Sequence, residues 1–180
     1  MKPIHFASGA YYLREMGIHA MSEKIITFGI TCYNSADYMD HCISSILEGS
    51  EYADDIQIVI VDDGSQKDTT PQKADEWAER YPNLIKAVHQ ENGGHGMGIL
   101  AAIHQENKGH GGAVNAGLKA ATGTHVRVVD SDDWVDAHAL SVLLDYIRTA
   151  IKTDNRIDLF ITNYVYEHVV DGKQNVVDYR

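Results

Sequence analysis

The feature that most constrains the fold is the run Ile56-Gln-Ile-Val-Ile-Val61, which is apolar at almost every position. A strand with one face in water shows a polar residue at every second place. A strand of a parallel sheet is covered on both faces and reads as nearly continuous apolar sequence. Parallel strands also need crossover connections, which are usually helices. The run therefore predicts a parallel sheet with helices on both faces.

Strand-like and helix-like segments alternate along most of the chain. Five apolar runs predict parallel strands, at 25–31, 56–61, 84–88, 124–129 and 157–161. Segments between them predict helices, at 34–49, 70–81, 112–121 and 136–151. Asp171-Gly172, between 164–170 and 173–179, predicts a C-terminal β-hairpin. This order indicates an open, Rossmann-like, mostly parallel α/β sheet.

Three of the predicted helices have recognisable ends. Asn34-Ser35 is expected to cap the first, which closes at Gly49. The second opens on Thr70-Pro71, with proline at the first helical position, and Asp136 is expected to cap the last. The apolar stripe that the first helix should bury consists of Tyr38, Met39, Cys42, Ile43, Ile46 and Leu47.

Composition excludes several classes of function. The 180 residues carry a formal net charge of −11, which argues against nucleic acid and anionic membrane surfaces as partners. No apolar run approaches the length of a transmembrane helix, and the N-terminus lacks the apolar segment of a signal peptide, so a cytoplasmic location is expected. Cys32 and Cys42 are too few for a disulfide framework and are expected to be buried free thiols.

We expect one domain with a sizeable hydrophobic core, from about residue 21 to the end, and we interpret residues 1–20 as an N-terminal extension. Within it, the sequence His-Gln-Glu-Asn at His89 recurs at His104, an offset of 104 − 89 = 15 residues, followed in both copies by a Gly-His-Gly motif. That period is too short for a solenoid repeat. We interpret it as a local duplication that lengthens one loop, with the second copy as the functional one.

Polar and acidic residues gather where the predicted strands end: Thr31-Cys-Tyr-Asn34, Asp62-Asp-Gly-Ser65, the histidine- and glycine-rich loop, and Asp130-Ser-Asp-Asp-Trp134. Ligands of open α/β sheets bind at the carboxyl ends of the strands. Carboxylates gathered in one cleft repel each other unless a cation neutralises them, and oxygen ligands select Mg²⁺ or Mn²⁺. Such an ion would let an acidic protein hold an anionic diphosphate.

Four segments in this order resemble the donor-binding part of a family-2 glycosyltransferase: Ile30-Thr-Cys-Tyr-Asn34, Val61-Asp-Asp-Gly-Ser65, Asn107-Lys-Gly109 to Asn115-Ala-Gly117, and Asp130-Ser-Asp-Asp-Trp134. The resemblance runs from about Ile25 to the end of the chain. It implies the GT-A fold, a nucleotide-diphosphate sugar as donor with a UDP-sugar favoured, and inversion at the anomeric carbon. It further implies a saccharide or lipid-linked acceptor, surface polysaccharide synthesis, and a location peripheral to the inner face of the membrane.

The resemblance also implies roles for individual residues. The donor-binding residues it indicates are Thr31, Tyr33, Asn34, Asp62, Asp63, Lys108, Asn115, Asp130, Ser131 and Asp133. Asp63, with Asp62 beside it, corresponds to the region of the nucleotide base. Asp130 and Asp132 correspond to the family's DxD element, with Asp132 favoured as the direct metal ligand. Lys108 and the glycine-rich loop would approach the diphosphate.

Two departures from the family pattern stand out. Val114 occupies a position where many relatives carry an arginine, which removes one cationic contact to the donor. The acidic motif that supplies the general base in the family does not occur before Arg180, so the base is expected beyond it and the domain is interpreted as incomplete at its C-terminus. Self-association through the truncated edge is then expected. Tyr164 and Tyr166 would pack against the missing remainder, or else form an acceptor platform.

Other functions fit less well. A non-catalytic nucleotide-sugar-binding fragment or scaffold is the strongest alternative. A nucleotidyltransferase would need a glycine-rich basic loop after the first strand, and a phosphorylation receiver would need paired aspartates there. The histidines of the repeat are too widely spaced for a typical zinc site, and its glycines do not follow the dinucleotide-binding pattern.

Overall fold

The computed structural model describes residues 24–50, 53–89, 109–167 and 172–179. The chain divides into two compact units, Met1–Ile147 and Arg148–Arg180. The first holds a parallel sheet with its helices, and the second holds an antiparallel hairpin. The predicted extension at 1–20, most of the repeat and Lys108 lie outside the described residues.

The strands are β1 (Ile26–Cys32), β2 (Ile56–Asp62), β3 (Ile85–His89), β4 (His125–Asp130), β5 (Tyr164–Glu167) and β6 (Gln174–Val177). The helices are α1 (Met39–Glu48), α2 (Thr70–Arg80), α3 (Gly109–Ala120) and α4 (Ala137–Lys152), and a short 3₁₀ turn at Ala53–Asp55 leads into β2.

The sheet of the first unit is parallel throughout, in the order β3-β2-β1-β4. Apart from Gln57, every residue of β2 is buried, as its continuous apolar sequence predicts. Strand β1 pairs with β2 on one side and β4 on the other, so that Thr31 lies opposite both Val61 and Asp130. The carboxyl ends of β1, β2 and β4 therefore meet at one edge of the sheet.

Helix α3 packs on one face of the sheet through small residues. Ala113, Ala116 and Ala120 form a buried cluster with Val59, Val61 and Val88. The backbones come close where Gly117 of α3 meets Gly29 of β1, and a Cβ on Gly117 would lie 3.6 Å from the Cα of Gly29. This close approach brings the N-terminus of α3 to the same edge at which the strands end.

Helices α1 and α2 belong to the opposite face. Crossovers between parallel strands are right-handed as a rule, so the connections from β1 to β2 and from β2 to β3 place α1 and α2 on one face. Asp40 of α1 accordingly accepts the indole N–H of Trp77 on α2 at 2.9 Å. The connection through α3 runs back across the sheet and places α3 on the other face. The α1 residues Met39, Ile43 and Ile46 are fully buried. Helix α4 lies beside the end of α1, because a Cβ on Gly49 would touch the side chain of Leu140. Helices thus cover both faces, as predicted.

The expected start of the first helix is wrong by several residues. A turn over 36–38 precedes α1, and the carbonyl of Ser35 accepts the N–H groups of Tyr38 and Met39. Asn34 does not cap α1, because its side-chain oxygen accepts hydrogen bonds from a neighbouring loop. The cap predicted at Asp136 is confirmed, since Oδ1 accepts the N–H of Ala139 at 2.7 Å.

The predicted fifth parallel strand is also wrong. Residues 157–161 form no part of a sheet, and Leu159 and Ile161 are 73% and 69% exposed. Apolar composition gives a strand only where a neighbouring strand and a core receive it. The C-terminal hairpin is confirmed: β5 and β6 pair antiparallel, with Tyr164 opposite Val177.

Candidate functional site

A cavity of about 470 Å³ opens at the carboxyl ends of β1 and β4, beside the N-terminus of α3. Its walls come from four segments that are far apart in sequence. They are Thr31, Cys32, Tyr33, Asn34, Ser35 and Tyr38, then Asp63, then Gly109, His110 and Ala113, and finally Asp130, Ser131 and Asp132. The volume falls within the range of small-molecule sites.

Thr31 and Asp130 join the ends of β1 and β4 at the wall of the cavity. The hydroxyl of Thr31 donates a hydrogen bond of 2.7 Å to Oδ1 of Asp130. Nδ1 of His110 lies 3.6 Å from the same oxygen. Asp130 is therefore oriented by β1 while half of its side chain remains exposed to the cavity.

The acidic segment after β4 places its members differently. Asp132 is exposed and lines the cavity, whereas Ser131 lines it from a buried position. Asp133 is not part of the cavity wall, and its N–H donates to the carbonyl of Asp130 at 2.9 Å. Burial and the charges of Asp132 and Asp130 raise the pKa of Asp133 above its usual value. Negative charge is thus concentrated at the end of β4.

Asp62 and Asp63 are neighbours in sequence with different environments. The side chain of Asp62 is buried, and its Oδ1 accepts hydrogen bonds from the N–H and the hydroxyl of Ser65 at 3.0 and 2.5 Å. Asp63 lines the cavity, and burial together with the charge of Asp62 raises its pKa, against an opposing effect of His110. Asp63 is therefore the member of the pair that can reach a ligand, and Asp62 shapes the turn.

Asn34 links the loop after β1 to the loop after β2. Its backbone has a φ of 49°, in the left-handed region that asparagine tolerates better than most residues. Its Oδ1 accepts the N–H groups of Gln66 and Lys67 at 3.2 and 3.0 Å, and its own N–H donates to Ser65 Oγ at 2.8 Å. Asn34 thus lines the cavity and also holds its wall together.

Seven of the predicted site residues come together in this cavity: Thr31, Tyr33, Asn34, Asp63, Asp130, Ser131 and Asp132. Asp62, Asn115 and Asp133 are not among its lining residues. Asn115 is exposed on α3. Lys108 precedes α3 and lies outside the described residues.

Six lining residues were not among the individual residues predicted for the site: Cys32, Ser35, Tyr38, Gly109, His110 and Ala113. Gly109 and His110 belong to the histidine- and glycine-rich loop that was expected to approach the diphosphate. Tyr38 was expected in the buried stripe of α1, but it is 59% exposed because α1 begins after it. His110 could have been found from its place in the glycine-rich segment at the start of a helix, where it faces the strand ends. Cys32 and Ser35 belong to the same segment as the predicted Thr31 and Tyr33.

The side chains of the cavity wall fit a metal ion that takes most of its ligands from a bound substrate. Within the described ranges, no three His, Cys, Asp or Glu side chains are grouped so as to hold an ion by themselves. Mg²⁺ and similar ions, however, are commonly bound by one or two carboxylates together with substrate phosphates. Asp130 and Asp132, both on the cavity wall, match that smaller set.

The sequence matches the family model described as glycosyl transferase family 2, over residues 27–105 and 99–154. The chain belongs to this family. The two matched ranges overlap next to the second copy of the repeat, where a duplication would interrupt the family pattern.

Relatives in this glycosyltransferase family cover most of the chain. It is 32% identical over 154 residues to EpsH of Bacillus subtilis (strain 168), and the match covers 85% of this chain and 37% of EpsH. It is 30% identical over 120 residues to the minor teichoic acid biosynthesis protein GgaA of the same organism, covering 65% of this chain and 23% of GgaA. The chain thus spans well under half the length of these relatives.

Solved structures of the GT-A fold resemble the chain. TarS of S. aureus (residues 1–349, in complex with UDP-GlcNAc) has a TM-score of 0.52 and 25% identity, covering 71% of this chain and 32% of that one. The mannosyltransferase PcManGT of Pyrobaculum calidifontis, in complex with GDP-Man and Mn²⁺, has a TM-score of 0.52 and 23% identity, covering 74% and 38%. The expectation of a GT-A, family-2 glycosyltransferase domain is confirmed.

No helix in the described part of this glycosyltransferase domain combines the length and the apolar character needed to cross a membrane.

Proposed function

We propose that this domain binds a nucleotide-diphosphate sugar in the cavity at the ends of β1, β2 and β4. The observation that carries the proposal is that Asp63, Asp130 and Asp132, from two different strand ends, converge on one cavity. A UDP-sugar is favoured as the donor, and the complex of TarS with UDP-GlcNAc supports that choice.

A divalent ion, Mn²⁺ or Mg²⁺, is proposed as the cofactor, with Asp132 and Asp130 as the residues that would hold it. The complex of PcManGT with Mn²⁺ supports this choice. When bound, the ion stabilises the negative charge that develops on a leaving diphosphate. Without such an ion, the carboxylates of Asp130 and Asp132 would repel an anionic ligand.

The chain's own residues would position the donor. Thr31 fixes the rotation of Asp130 through their hydrogen bond. Asp63 would lie near the nucleotide base, with Asp62 holding the turn from which it projects and Tyr33 and Asn34 forming the adjacent wall. Roles for Ser131, Asp133, Asn115 and Lys108 in donor binding stay predictions.

The proposed reaction is an inverting transfer. The acceptor hydroxyl would attack the anomeric carbon, the bond from that carbon to the diphosphate would break, and a general base would take the hydroxyl proton. A saccharide or lipid-linked acceptor in surface polysaccharide synthesis is proposed, supported by the likeness to a teichoic acid biosynthesis protein.

The proposed site of action is the cytoplasm, at the inner face of the membrane, where the domain would reach lipid-linked acceptors. Self-association through the strand edge at the end of the chain stays a prediction.

Isothermal titration calorimetry of UDP with and without Mn²⁺ tests the donor site. We expect binding to depend on the metal in the wild type and to be lost in Asp132→Ala. Glu79→Ala removes an exposed carboxylate of α2, outside the cavity, and is expected to bind like the wild type. Circular dichroism shows whether each variant is folded.

The two parts of the proposal fail separately. Binding that is equally strong without metal, or in folded Asp132→Ala, would contradict the assignment of the metal ligands. Absence of UDP binding by the folded wild type under every condition would contradict the donor site itself.

A further inference from the structure

The imidazole of His89, at the end of β3, lies between two carboxylates. Its Nδ1 is 3.4 Å from Oδ2 of Asp62, and its Nε2 is 3.0 Å from Oδ1 of Asp75 on α2. A neutral imidazole carries one N–H and one acceptor nitrogen, so it can donate to only one carboxylate. Both contacts are hydrogen bonds at the same time only when the ring is an imidazolium.

Asp62 connects His89 to the wall of the donor cavity. The two residues are paired in the register of β2 and β3. The other oxygen of Asp62, Oδ1, accepts two hydrogen bonds from Ser65, and Ser65 Oγ accepts the N–H of Asn34. One chain of hydrogen bonds therefore runs from His89 through the 62–65 turn to Asn34, which lines the cavity.

The burial of Asp62 makes its contact with His89 important. Asp62 is 2% exposed, and a buried carboxylate is costly unless it is paired and hydrogen-bonded. Within the part of the chain that the structure describes, His89 is the basic side chain whose ring contacts that carboxylate. Among the described residues, the other hydrogen bonds that its carboxylate accepts come from the neutral donors of Ser65.

In the part of the chain that the structure describes, charged groups reach the ring from two elements. Asp62 approaches from β2 and Asp75 from α2, and both carry negative charge. Burial of the ring disfavours its charge, but the hydrogen bonds and charges of Asp75 and Asp62 outweigh that effect and raise the pKa of His89 above its ordinary value.

We propose that His89 is a positioning residue for the donor cavity: as an imidazolium it holds Asp62, and through Asp62 it holds the 62–65 turn and Asn34 in the arrangement that binds the nucleotide. Loss of the proton removes the positive charge beside Asp62 and leaves one of the two carboxylates without its donor. The turn then loses part of its support, and nucleotide affinity falls. This inference rests on the proposed function of the cavity as a nucleotide site.

Nuclear magnetic resonance of the free protein tests the first half of the inference. We expect the ¹⁵N signals of His89 to show both ring nitrogens protonated at about pH 6 and to titrate above the ordinary histidine value of about 6.5. The amide signals of Asp63 and Ser65 should move with the same midpoint. Asp75→Asn should lower that midpoint, because one of the two charged partners is gone.

Calorimetry of UDP with Mn²⁺ tests the second half, across about pH 6 to 9. At low pH, His89→Gln should bind about three- to tenfold more weakly than the wild type, as expected for loss of a partly exposed hydrogen bond to a charged group. Wild-type affinity should approach that of His89→Gln as the pH rises. Because the proteins are compared at the same pH, the titration of the nucleotide itself affects all of them equally and cancels from the comparison. The control His138→Gln, at an exposed position of α4, should follow the wild type.

Each failure has a distinct meaning. Two NMR results would overturn the inference whether or not UDP binds. One is a His89 ring that carries a single proton at about pH 6. The other is that the amide signals of the turn do not change as His89 titrates. Wild-type affinity of His89→Gln at every pH would overturn it as well. Absence of UDP binding by all the proteins would remove the proposed function and the nucleotide role of His89 with it, while leaving the hydrogen-bonded chain to be judged by the amide signals.

Discussion

Thr31 and Asp130 are 99 positions apart in the sequence, yet they are paired in the register of β1 and β4, and the hydroxyl of one holds the carboxylate of the other at 2.7 Å. Both residues line the cavity at the ends of these two neighbouring strands. It explains how an acidic motif after β4 acquires a defined orientation from a threonine on β1.

Thr31→Val removes this hydrogen bond with little change in side-chain volume. We expect metal-dependent binding of UDP to weaken about three- to tenfold, because Asp130 loses the donor that orients it. The free energy of unfolding should change by less than about 1 kcal/mol, since the bond is exposed. Calorimetry measures the first and urea unfolding the second. Thr149→Val, at an exposed position of α4, is the matched control, and equal affinity in the two variants would contradict a role for Thr31.

Gly123→Ala should destabilise the sheet. A Cβ at Gly123 would lie 2.5 Å from the carbonyl carbon of Ile26 and 2.6 Å from the nitrogen of Thr27, so the backbone itself would have to move. We expect a loss of about 1–3 kcal/mol in the free energy of unfolding, measured by urea denaturation.

Gly111→Ala serves as the control for that substitution. A Cβ at Gly111 meets nothing within 4 Å, and alanine favours a helix over glycine. We expect the free energy of unfolding of this variant to equal that of the wild type or to exceed it by up to about 1 kcal/mol. Similar losses in both variants would contradict the steric explanation.

Asp68→Ala should cost stability at neutral pH. Oδ2 of Asp68 accepts the N–H of Ala36, and Oδ1 accepts the N–H of Thr70, at 2.9 and 3.0 Å. Burial acts to raise the pKa of Asp68, but the hydrogen bonds from Ala36 and Thr70 outweigh it and lower the pKa below its usual range. The loss at neutral pH should be about 1 kcal/mol.

The sign of the pH dependence follows from that lowered pKa. The stabilisation by Asp68 is fully present above the unfolded-state value of about 3.9 and is lost as the pH falls through the lower folded-state value. The difference in unfolding free energy between the wild type and Asp68→Ala should therefore shrink below about pH 4. The control Asp37→Ala removes an exposed carboxylate from the neighbouring turn and measures the effect of losing a surface charge alone. A difference that grows on acidification would contradict the assignment.

Cys32 and Cys42 should resist alkylation in the folded protein. Each is 1% exposed, and burial raises the pKa of both thiols to about 12. The reactive species is the thiolate, which is then scarce at neutral pH. Mass spectrometry after iodoacetamide treatment should show no adduct on the native protein and two adducts in urea. Rapid native labelling of Cys32 would mean that the cavity opens far enough to expose it.

The sequence predicted the local elements well where pattern and packing agree. The run from Ile56 to Val61 is a buried central strand, and Thr70-Pro71 begins a helix. Prediction failed where the outcome depended on distant partners. Leu159 and Ile161 lie in an apolar run without becoming part of a sheet, and Asn34 bonds to the loop after β2 instead of capping the helix that follows it.

By itself the sequence determined the parallel α/β sheet, the strand ends at which polar residues gather, and the family to which they belong. Those properties follow from hydrophobic periodicity and short motifs, which act over a few residues. Only the tertiary structure decided that Asp63 lines the cavity while Asp62 is buried beneath the turn, and that His89 joins Asp62 to Asp75. Such contacts depend on strand register and on where a helix lies across the sheet, and these are fixed by the packing of segments far apart in the chain.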